Sequence, residues 1–318
     1  MALMLGHDEA WRAWRAGTAS GRLHHGWLLV GRKGLGKATF ALAAARELLT
    51  GGAAAPELHP DILVLAPLPD KEDDEKKKAE GKSYKTKRNI SVDQVRAMQR
   101  RLTTRPTLGT HRAIIIDSAD ELERGAANAL LKSLEEPPQG SVFLLVSHRP
   151  GQLPPTIRSR CQMLRFPALA DDAIAAVLAR EAPELGGEDR TAAIAAASGA
   201  PGAALDFVGR GLGKVQRTMA RIVGEGDPRL TLRGTLSAEI GPRPDREQLG
   251  VVLELARRVL AEAAGTAGRE RQARIVEAHA ALSALIAEAP TANFDPGLLM
   301  LQIGGLLASA APPRETAG

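Results

Sequence analysis

The chain has 318 residues, of which 44% are hydrophobic and 25% charged, with a formal net charge of +5 at pH 7. This suits a globular protein of two or three domains and excludes a disordered or fibrous one. One cysteine, Cys161, excludes internal disulfides and cysteine clusters, so we expect a reducing compartment. We find no signal-peptide pattern and no run of ~20 apolar residues. We therefore expect a cytoplasmic protein with no membrane partner.

A glycine-rich stretch after a short apolar run predicts a phosphate-binding loop. Trp27–Val30 has the pattern of a buried strand, and an alanine-rich helical pattern follows it. Gly31, Gly34 and Gly36 allow the backbone to turn its N–H groups toward a phosphate at the start of that helix. Lys37 would add positive charge for the outer phosphates. The alternative is a glycine-rich turn that binds nothing.

The last position of this loop departs from the pattern Gly-x-x-x-x-Gly-Lys-Ser/Thr. Ala38 stands where a hydroxyl should reach Mg²⁺. Thr39 comes one residue later and, on a helix, would point about 100° away. The sequence therefore predicts a phosphate cradle without its metal ligand.

Further apolar runs predict the rest of a parallel sheet with helices on both faces. The predicted strands are Ile62–Leu65, Arg112–Asp117, Val142–Ser147 and Met163–Phe166. Helical periodicity falls on residues 7–20, on a helix that starts at Ser91 with a capping box, and on residues 128–135. His24 and His25, before the first strand, are better explained as packing and hydrogen-bonding residues than as ligands.

An aspartate at the end of a buried strand is typical of the Walker B position of P-loop ATPases. Asp117 takes this place, and it would hold the Mg²⁺ shell. Ser118 follows it, where a carboxylate should polarise water, and a hydroxyl is not such a base. An equally good interpretation is that Asp117 caps the next helix. Ser147 and His148, at the end of a later strand, lie where a polar residue would sense a γ-phosphate.

The segment from Asp70 to Arg88 is dominated by charge, acidic first and then basic. It has too little apolar surface to offset its ordering entropy, so we expect a solvated, mobile insertion. Contact of its basic half with DNA is a secondary hypothesis.

Helical patterns take over after the last strand. We expect a P-loop domain over residues 1–167, a small helical lid over 168–210 and an all-helical oligomerisation or collar domain over 211–318. The last of these carries no catalytic constellation.

Four stretches in order, GRLHHGWLLVGRKGLGKA, IIIDSADEL, AANALLKSLEEPP and LPPTIRSRC, together resemble the clamp-loader branch of the AAA+ proteins. The likeness covers about the first 205 residues and is strongest to the delta-prime group of bacterial DNA polymerase III. It implies an AAA+ fold and partners of the gamma/tau and delta types. It also implies two further partners, a sliding clamp and primed DNA, the latter contacted through the complex.

The resemblance also implies roles for Ser159, Arg160 and Cys161, the serine-arginine-cysteine element. In that family its arginine reaches the γ-phosphate held by a neighbouring subunit, so Arg160 becomes an arginine finger acting in trans. Arg158 is the less favoured candidate. A salt-bridged arginine at a helix end is the alternative interpretation.

Departures from the ATPase members of the family predict a degenerate nucleotide site. Ala38, Ser118 and Gly202 replace the hydroxyl, the glutamate and the lid arginine. We expect no useful ATP hydrolysis, no required cofactor, at most weak ATP or ADP binding, and no zinc, since residues 51–57 lack cysteine. The paired carboxylates of a polymerase are also lacking. The alternative is an active clamp-loader ATPase, or another P-loop NTPase that uses Thr39.

Overall fold

The computed structural model of the protein describes residues 6–19, 21, 23–51, 59–81, 84–241, 244, 246–288 and 295–312. These residues divide into two compact units. The first runs to Arg180 and includes Ser198–Gly202, and the second comprises Glu181–Ala197 and the described residues from Ala203 onward. The three-domain division at residues 167 and 210 stays a prediction.

The first unit is a parallel sheet with helices on its two faces, as the sequence predicts. Its elements are α1 (Asp8–Ala19), β1 (Gly26–Val30), α2 (Lys37–Thr50), β2 (Ile62–Leu65), α3 (Glu72–Ala79), α4 (Val92–Leu102), β3 (Arg112–Ile116), α5 (Arg124–Glu135), β4 (Ser141–Ser147), α6 (Pro155–Arg158), β5 (Gln162–Arg165) and α7 (Asp171–Glu181). The strand order is β2-β3-β4-β1-β5, and every pairing is parallel. Strand β3 ends at Ile116, so Asp117 is the first residue beyond it.

Two apolar layers cover the sheet, because successive side chains of a strand point to opposite faces. On one face Leu28 of β1 lies in a cluster with Val95 of α4 and Leu130 of α5. On the other, Trp27 and Leu29 belong to a cluster with α1 and α2. There the rings of Trp14 and Trp27 meet edge to face at 5.3 Å. The predicted N-terminal helix therefore covers one face of the sheet.

Local signals read from the sequence account for several element boundaries. Ser91 caps α4 and forms the predicted capping box with Gln94. His24 accepts from the Gly26 amide and stacks on His25, whose Nε2 lies 2.9 Å from the Leu134 carbonyl oxygen. The two histidines pack and hydrogen-bond at the entrance of β1, which confirms the structural interpretation.

The charged segment from Asp70 to Arg88 is solvated, as expected, and its described residues include a short helix. Almost all residues of this helix, α3, are exposed, and the mobility of the segment stays a prediction. Pro69 and Thr86 form an antiparallel bridge, and the carboxylate of Asp74 accepts from the Lys85 amide at 3.2 Å. The acidic residues come first and the lysines last, so the charges complement the helix dipole. This local electrostatic order stabilises a helix where apolar burial does not.

The second unit is helical, in agreement with the predicted character of the C-terminal third. Its elements are α8 (Gly187–Ala197), most of α9 (Pro201–Gly209), α10 (Leu212–Glu225), α11 (Thr231–Ile240), α12 (Arg246–Ala264), α13 (Arg269–Glu288) and α14 (Pro296–Ser309). Helix α10 packs against α11, α12 and α14, and α12 packs against α13. Among the described residues, none of the helices combines the length and the apolar character needed to cross a membrane.

Candidate functional site

The loop between β1 and α2 turns at glycines, where the sequence predicts a phosphate-binding loop. Gly36, the residue before α2, has φ 80°, which glycine adopts without strain. A Cβ on Gly31 would lie 2.5 Å from the Phe166 carbonyl oxygen, so no larger residue fits there. The sequence predicts this loop and helix correctly, and both glycines are needed for reasons of space or conformation.

The ammonium group of Lys37 is turned back into its own loop. It donates to the carbonyl oxygens of Gly31 and Arg32, both at 2.6 Å, and the residue is only 3% exposed. Burial lowers the pKa of Lys37 to about 8, although the carboxylates of Asp120 and Asp117 oppose this shift. These two bonds use two of the three N–H donors of the ammonium group that the sequence assigns to a phosphate.

The next two residues after Lys37 differ in their surroundings. Ala38 is partly buried and packs against the apolar cluster that surrounds α2. Thr39 is exposed one position further along the helix. His7, which the sequence analysis missed, lies beside the loop: its Nε2 is 2.8 Å from the Leu35 carbonyl oxygen, and its ring meets that of Phe166 at 4.8 Å. No spacing in the sequence connects His7 with a loop almost thirty residues away.

Gly202 lies against the phosphate loop at the position where the resemblance places a lid arginine. Its amide N–H donates to the Gly34 carbonyl at 2.8 Å. A Cβ on Gly202 would lie 2.9 Å from the Gly34 Cα. The backbone of Gly202 therefore approaches the loop so closely that a side chain at residue 202 would require the backbone to shift.

The end of β3 brings buried polar groups toward the loop. Burial raises the pKa of Asp117, while Lys37 and Lys33 act in the opposite direction. Ser118 is buried, and its hydroxyl meets no hydrogen-bond partner within the described part of the chain. Asp117 lies close enough to Lys37 for the two charges to affect each other's pKa, and position 118 has a serine.

Asp120 joins the ends of β3 and β4, a role that the sequence analysis missed. Its carboxylate accepts from the Ser147 hydroxyl at 2.7 Å, from the His148 amide and, at 3.3 Å, from the Arg149 amide. Ser147, predicted to sense a phosphate, therefore already donates its proton to Asp120. Asp117 and Asp120 both follow β3, and the sequence alone does not separate them. The contact with the end of β4 shows that Asp120 is the one that binds there.

The residues around the loop depart from the hydrolytic Mg²⁺–ATP pattern at Ala38, Ser118 and Gly202. Ala38 has no hydroxyl for magnesium, and Ser118 has no carboxylate to polarise water. A side chain at residue 202 would require the backbone to shift.

The guanidinium of Arg160 lies at the surface just after α6. Its Nη2 pairs with Oε1 of Glu135 at 2.6 Å, and its Nη1 donates to the Thr156 carbonyl at 3.0 Å. The side chain is 34% exposed, so it is accessible to a partner. Ser159 bonds to the same turn, its hydroxyl donating to Thr156 at 3.1 Å, and Arg158 is exposed. This salt bridge agrees with the alternative interpretation of Arg160, a salt-bridged arginine at a helix end.

Cys161, the third member of this element, is a packing residue. It is partly buried against the apolar cluster around α4 and α5. Burial raises the pKa of its thiol to about 12, so the reactive thiolate is disfavoured.

A family model described as DNA polymerase III, delta subunit matches residues 6–170, just over half of the chain. The chain belongs to this family. This family lies in the clamp-loader branch of the AAA+ proteins, so the match confirms the resemblance that the sequence motifs indicate.

Curated relatives and a solved structure agree with the family. The chain is 34% identical to DNA polymerase III subunit delta' of Pseudomonas aeruginosa over 202 residues, 59% of this chain and 57% of the relative. It is 31% identical to the delta' subunit of Escherichia coli over 204 residues, 60% of this chain and 56% of the relative. The match thus spans little more than half of each relative.

A DNA polymerase III gamma subunit-related protein from Thermotoga maritima superimposes with a TM-score of 0.55 at 18% identity. The match covers 94% of this chain and 98% of the other. At that identity the similarity supports the fold alone.

Proposed function

We propose that this family member is a delta-prime-like subunit of a DNA polymerase III clamp loader that helps to load the sliding clamp on primed DNA. In this proposal its own nucleotide site is degenerate, with at most weak ATP or ADP binding. It supplies Arg160 to the site of a neighbouring gamma/tau-type subunit. The expected assembly also contains a delta-type subunit.

The single observation that carries the degenerate site is the contact between Gly202 and Gly34. An ATPase member of the family would need an arginine at position 202, and a Cβ there would already lie 2.9 Å from the Gly34 Cα. The replacements at Ala38 and Ser118 affect separate parts of the reaction and agree with it. Loss of one group has several explanations, but three losses around one loop favour a pocket that no longer hydrolyses ATP.

Arg160 has the properties that an arginine finger requires. Its guanidinium is accessible, always charged and planar, and it neutralises the charge that develops on a transferred phosphoryl group. Such an arginine accelerates hydrolysis by about 10³-fold or more. Its present partner, Glu135, is itself half-exposed, so the ion pair is weak and does not prevent the guanidinium from binding a phosphate.

The test uses the full-length chain reconstituted with its gamma/tau-type and delta-type partners. Arg160→Ala should lower clamp- and DNA-stimulated ATP hydrolysis by about tenfold or more, because the neighbouring site loses its finger. Arg158→Ala, an exposed arginine two residues away, is the matched control and should leave the rate unchanged. Lys37→Ala should also leave it unchanged.

The rival function is an active ATPase, and the isolated chain distinguishes the two. ATP hydrolysis by the purified chain that primed DNA stimulates and Lys37→Ala abolishes would refute the degenerate site. Equal rates for the complex with and without Arg160 would refute the finger. Titration calorimetry with ATP and with ADP measures whatever binding the loop retains.

A further inference from the structure

We propose that Glu135 is a positioning residue that orients Arg160 toward the nucleotide of the neighbouring subunit; this rests on the function proposed above. The observation behind it is the arrangement of acceptors around one guanidinium. Glu135 Oε1 lies 2.6 Å from Nη2, the Thr156 carbonyl 3.0 Å from Nη1 and the Ser159 hydroxyl 3.5 Å from Nη1.

The backbone at Arg160 is held tightly, so the side chain starts from a fixed point. Its amide donates to the Ile157 carbonyl at 3.2 Å. A Cβ on Gly26, the first residue of β1, would lie only 3.0 Å from the Arg160 carbonyl oxygen. The absence of a side chain on Gly26 thus allows this turn to lie directly on the central sheet. The remaining freedom is in the long side chain of Arg160.

Glu135 occupies a position where a carboxylate is unfavourable without a cation nearby. It is the last residue of α5, at the negative end of the helix dipole, and Pro137 prevents the helix from continuing. A guanidinium close to this end is attracted both by the last helical carbonyl groups and by Glu135. The carboxylate therefore lies on a rigid element and faces the arginine from one side.

The hydrogen bonds of Arg160 are compatible with simultaneous binding of a phosphate. A guanidinium has five N–H donors in a planar fork. Among the described residues, the bonds given above use the donors of Nη1 and one of Nη2. Nε and the second N–H of Nη2 are left for oxygens of a neighbouring subunit, so Glu135 need not release the arginine.

The geometry indicates that Glu135 orients Arg160 and does not hold it back from the phosphate. Both side chains are substantially exposed, 34% for Arg160 and 49% for Glu135, and an ion pair between such groups is too weak to keep the arginine from a phosphate. It does reduce the number of rotamers that Arg160 must lose when the transition state forms. Removing it should therefore lower kcat and leave KM for ATP unchanged.

The experiment compares Glu135→Gln with Glu136→Gln in the reconstituted complex. Glu136 is the adjacent glutamate, exposed beyond the end of α5, and makes a matched control. We expect Glu135→Gln to lower kcat for clamp-stimulated ATP hydrolysis about fivefold at unchanged KM, and Glu136→Gln to have no effect. In the Arg160→Ala background, Glu135→Gln should change nothing further.

The possible results separate this inference from the function on which it rests. If Arg160→Ala lowers the rate and Glu135→Gln does not, or raises it, Glu135 is not a positioning residue and the finger assignment stands. If Glu135→Gln lowers kcat equally with and without Arg160, its effect is structural and the inference is wrong. If Arg160→Ala itself leaves the rate unchanged, the proposed function fails and takes this inference with it.

Discussion

Gly202 donates its amide hydrogen to the Gly34 carbonyl at 2.8 Å, so the backbone at residue 202 lies directly against the glycine-rich loop. A methyl group at residue 202 would lie 2.9 Å from the Gly34 Cα, a backbone atom with little freedom to move. We predict that Gly202→Ala lowers the free energy of unfolding by about 1–3 kcal/mol through overpacking. Urea titration followed by tryptophan fluorescence measures this, because all three tryptophans lie in the first unit.

Gly209→Ala is the control for this substitution. Gly209 ends the same helix, and a Cβ there meets nothing within 4 Å. Because the new methyl group meets no other atom, Gly209→Ala should leave the free energy of unfolding unchanged or raise it by up to about 1 kcal/mol. If both variants behave alike, the close approach of Gly202 to the loop has no energetic consequence and the packing argument fails.

Asp61 and Arg112 form a buried ion pair that organises the loop before β3. The Asp61 carboxylate accepts from the amides of Thr107 at 2.7 Å and Leu108 at 2.8 Å, and from Arg112. Because Asp61 is fully buried, replacing it by asparagine leaves Arg112 without its counter-charge and puts an NH₂ donor against one of the two amides, which then lacks an acceptor. We predict that Asp61→Asn lowers the free energy of unfolding at pH 7 by about 3 kcal/mol.

The same substitution should change the dependence of stability on pH. Burial alone would raise the pKa of Asp61, but the bonds from Thr107, Leu108 and Arg112 outweigh it, so the pKa is lowered. The stabilisation is therefore present above the unfolded value of about 3.9 and is lost as the pH falls through the folded pKa. The free energies of unfolding of wild type and Asp61→Asn should therefore become equal in strong acid. Asp73→Asn, on exposed α3, should follow wild type throughout.

The sequence predicts the sheet well because its three central strands, β1, β3 and β4, are buried along their whole length and therefore have continuous apolar patterns. Ile62–Leu65 is predicted without error, β1, β3 and β4 differ by one residue at one end, and β5 is shifted by one residue at both ends. Side-chain pattern determines these elements locally. Helix α3 is different, because it has almost no apolar residues and is stabilised by the order of its charges.

The chemistry of the candidate site is only partly predictable from motif positions. The sequence identifies the loop, Asp117 and Arg160, but not the contacts that decide what these groups do. His7 beside Leu35 and Glu135 beside Arg160 are separated along the chain by 28 and 25 residues, and each pair meets only after the sheet forms. A glutamate at a helix end, where the dipole disfavours it, is the one local signal that indicates a nearby cation.

Lys37 provides a test of the loop that does not depend on any partner protein. Its pKa is lowered from 10.5 to about 8, mainly by burial. Below pH 8 the lysine is protonated in both states; between about 8 and 10.5 the native state has lost the proton and the unfolded state keeps it. Unfolding then takes up a proton, so stability should rise with pH relative to Lys37→Met, by up to about 1.4 kcal/mol per pH unit. Urea titrations of both proteins from pH 7 to 10.5 measure the difference, and parallel curves would mean that Lys37 is solvated rather than turned into its loop.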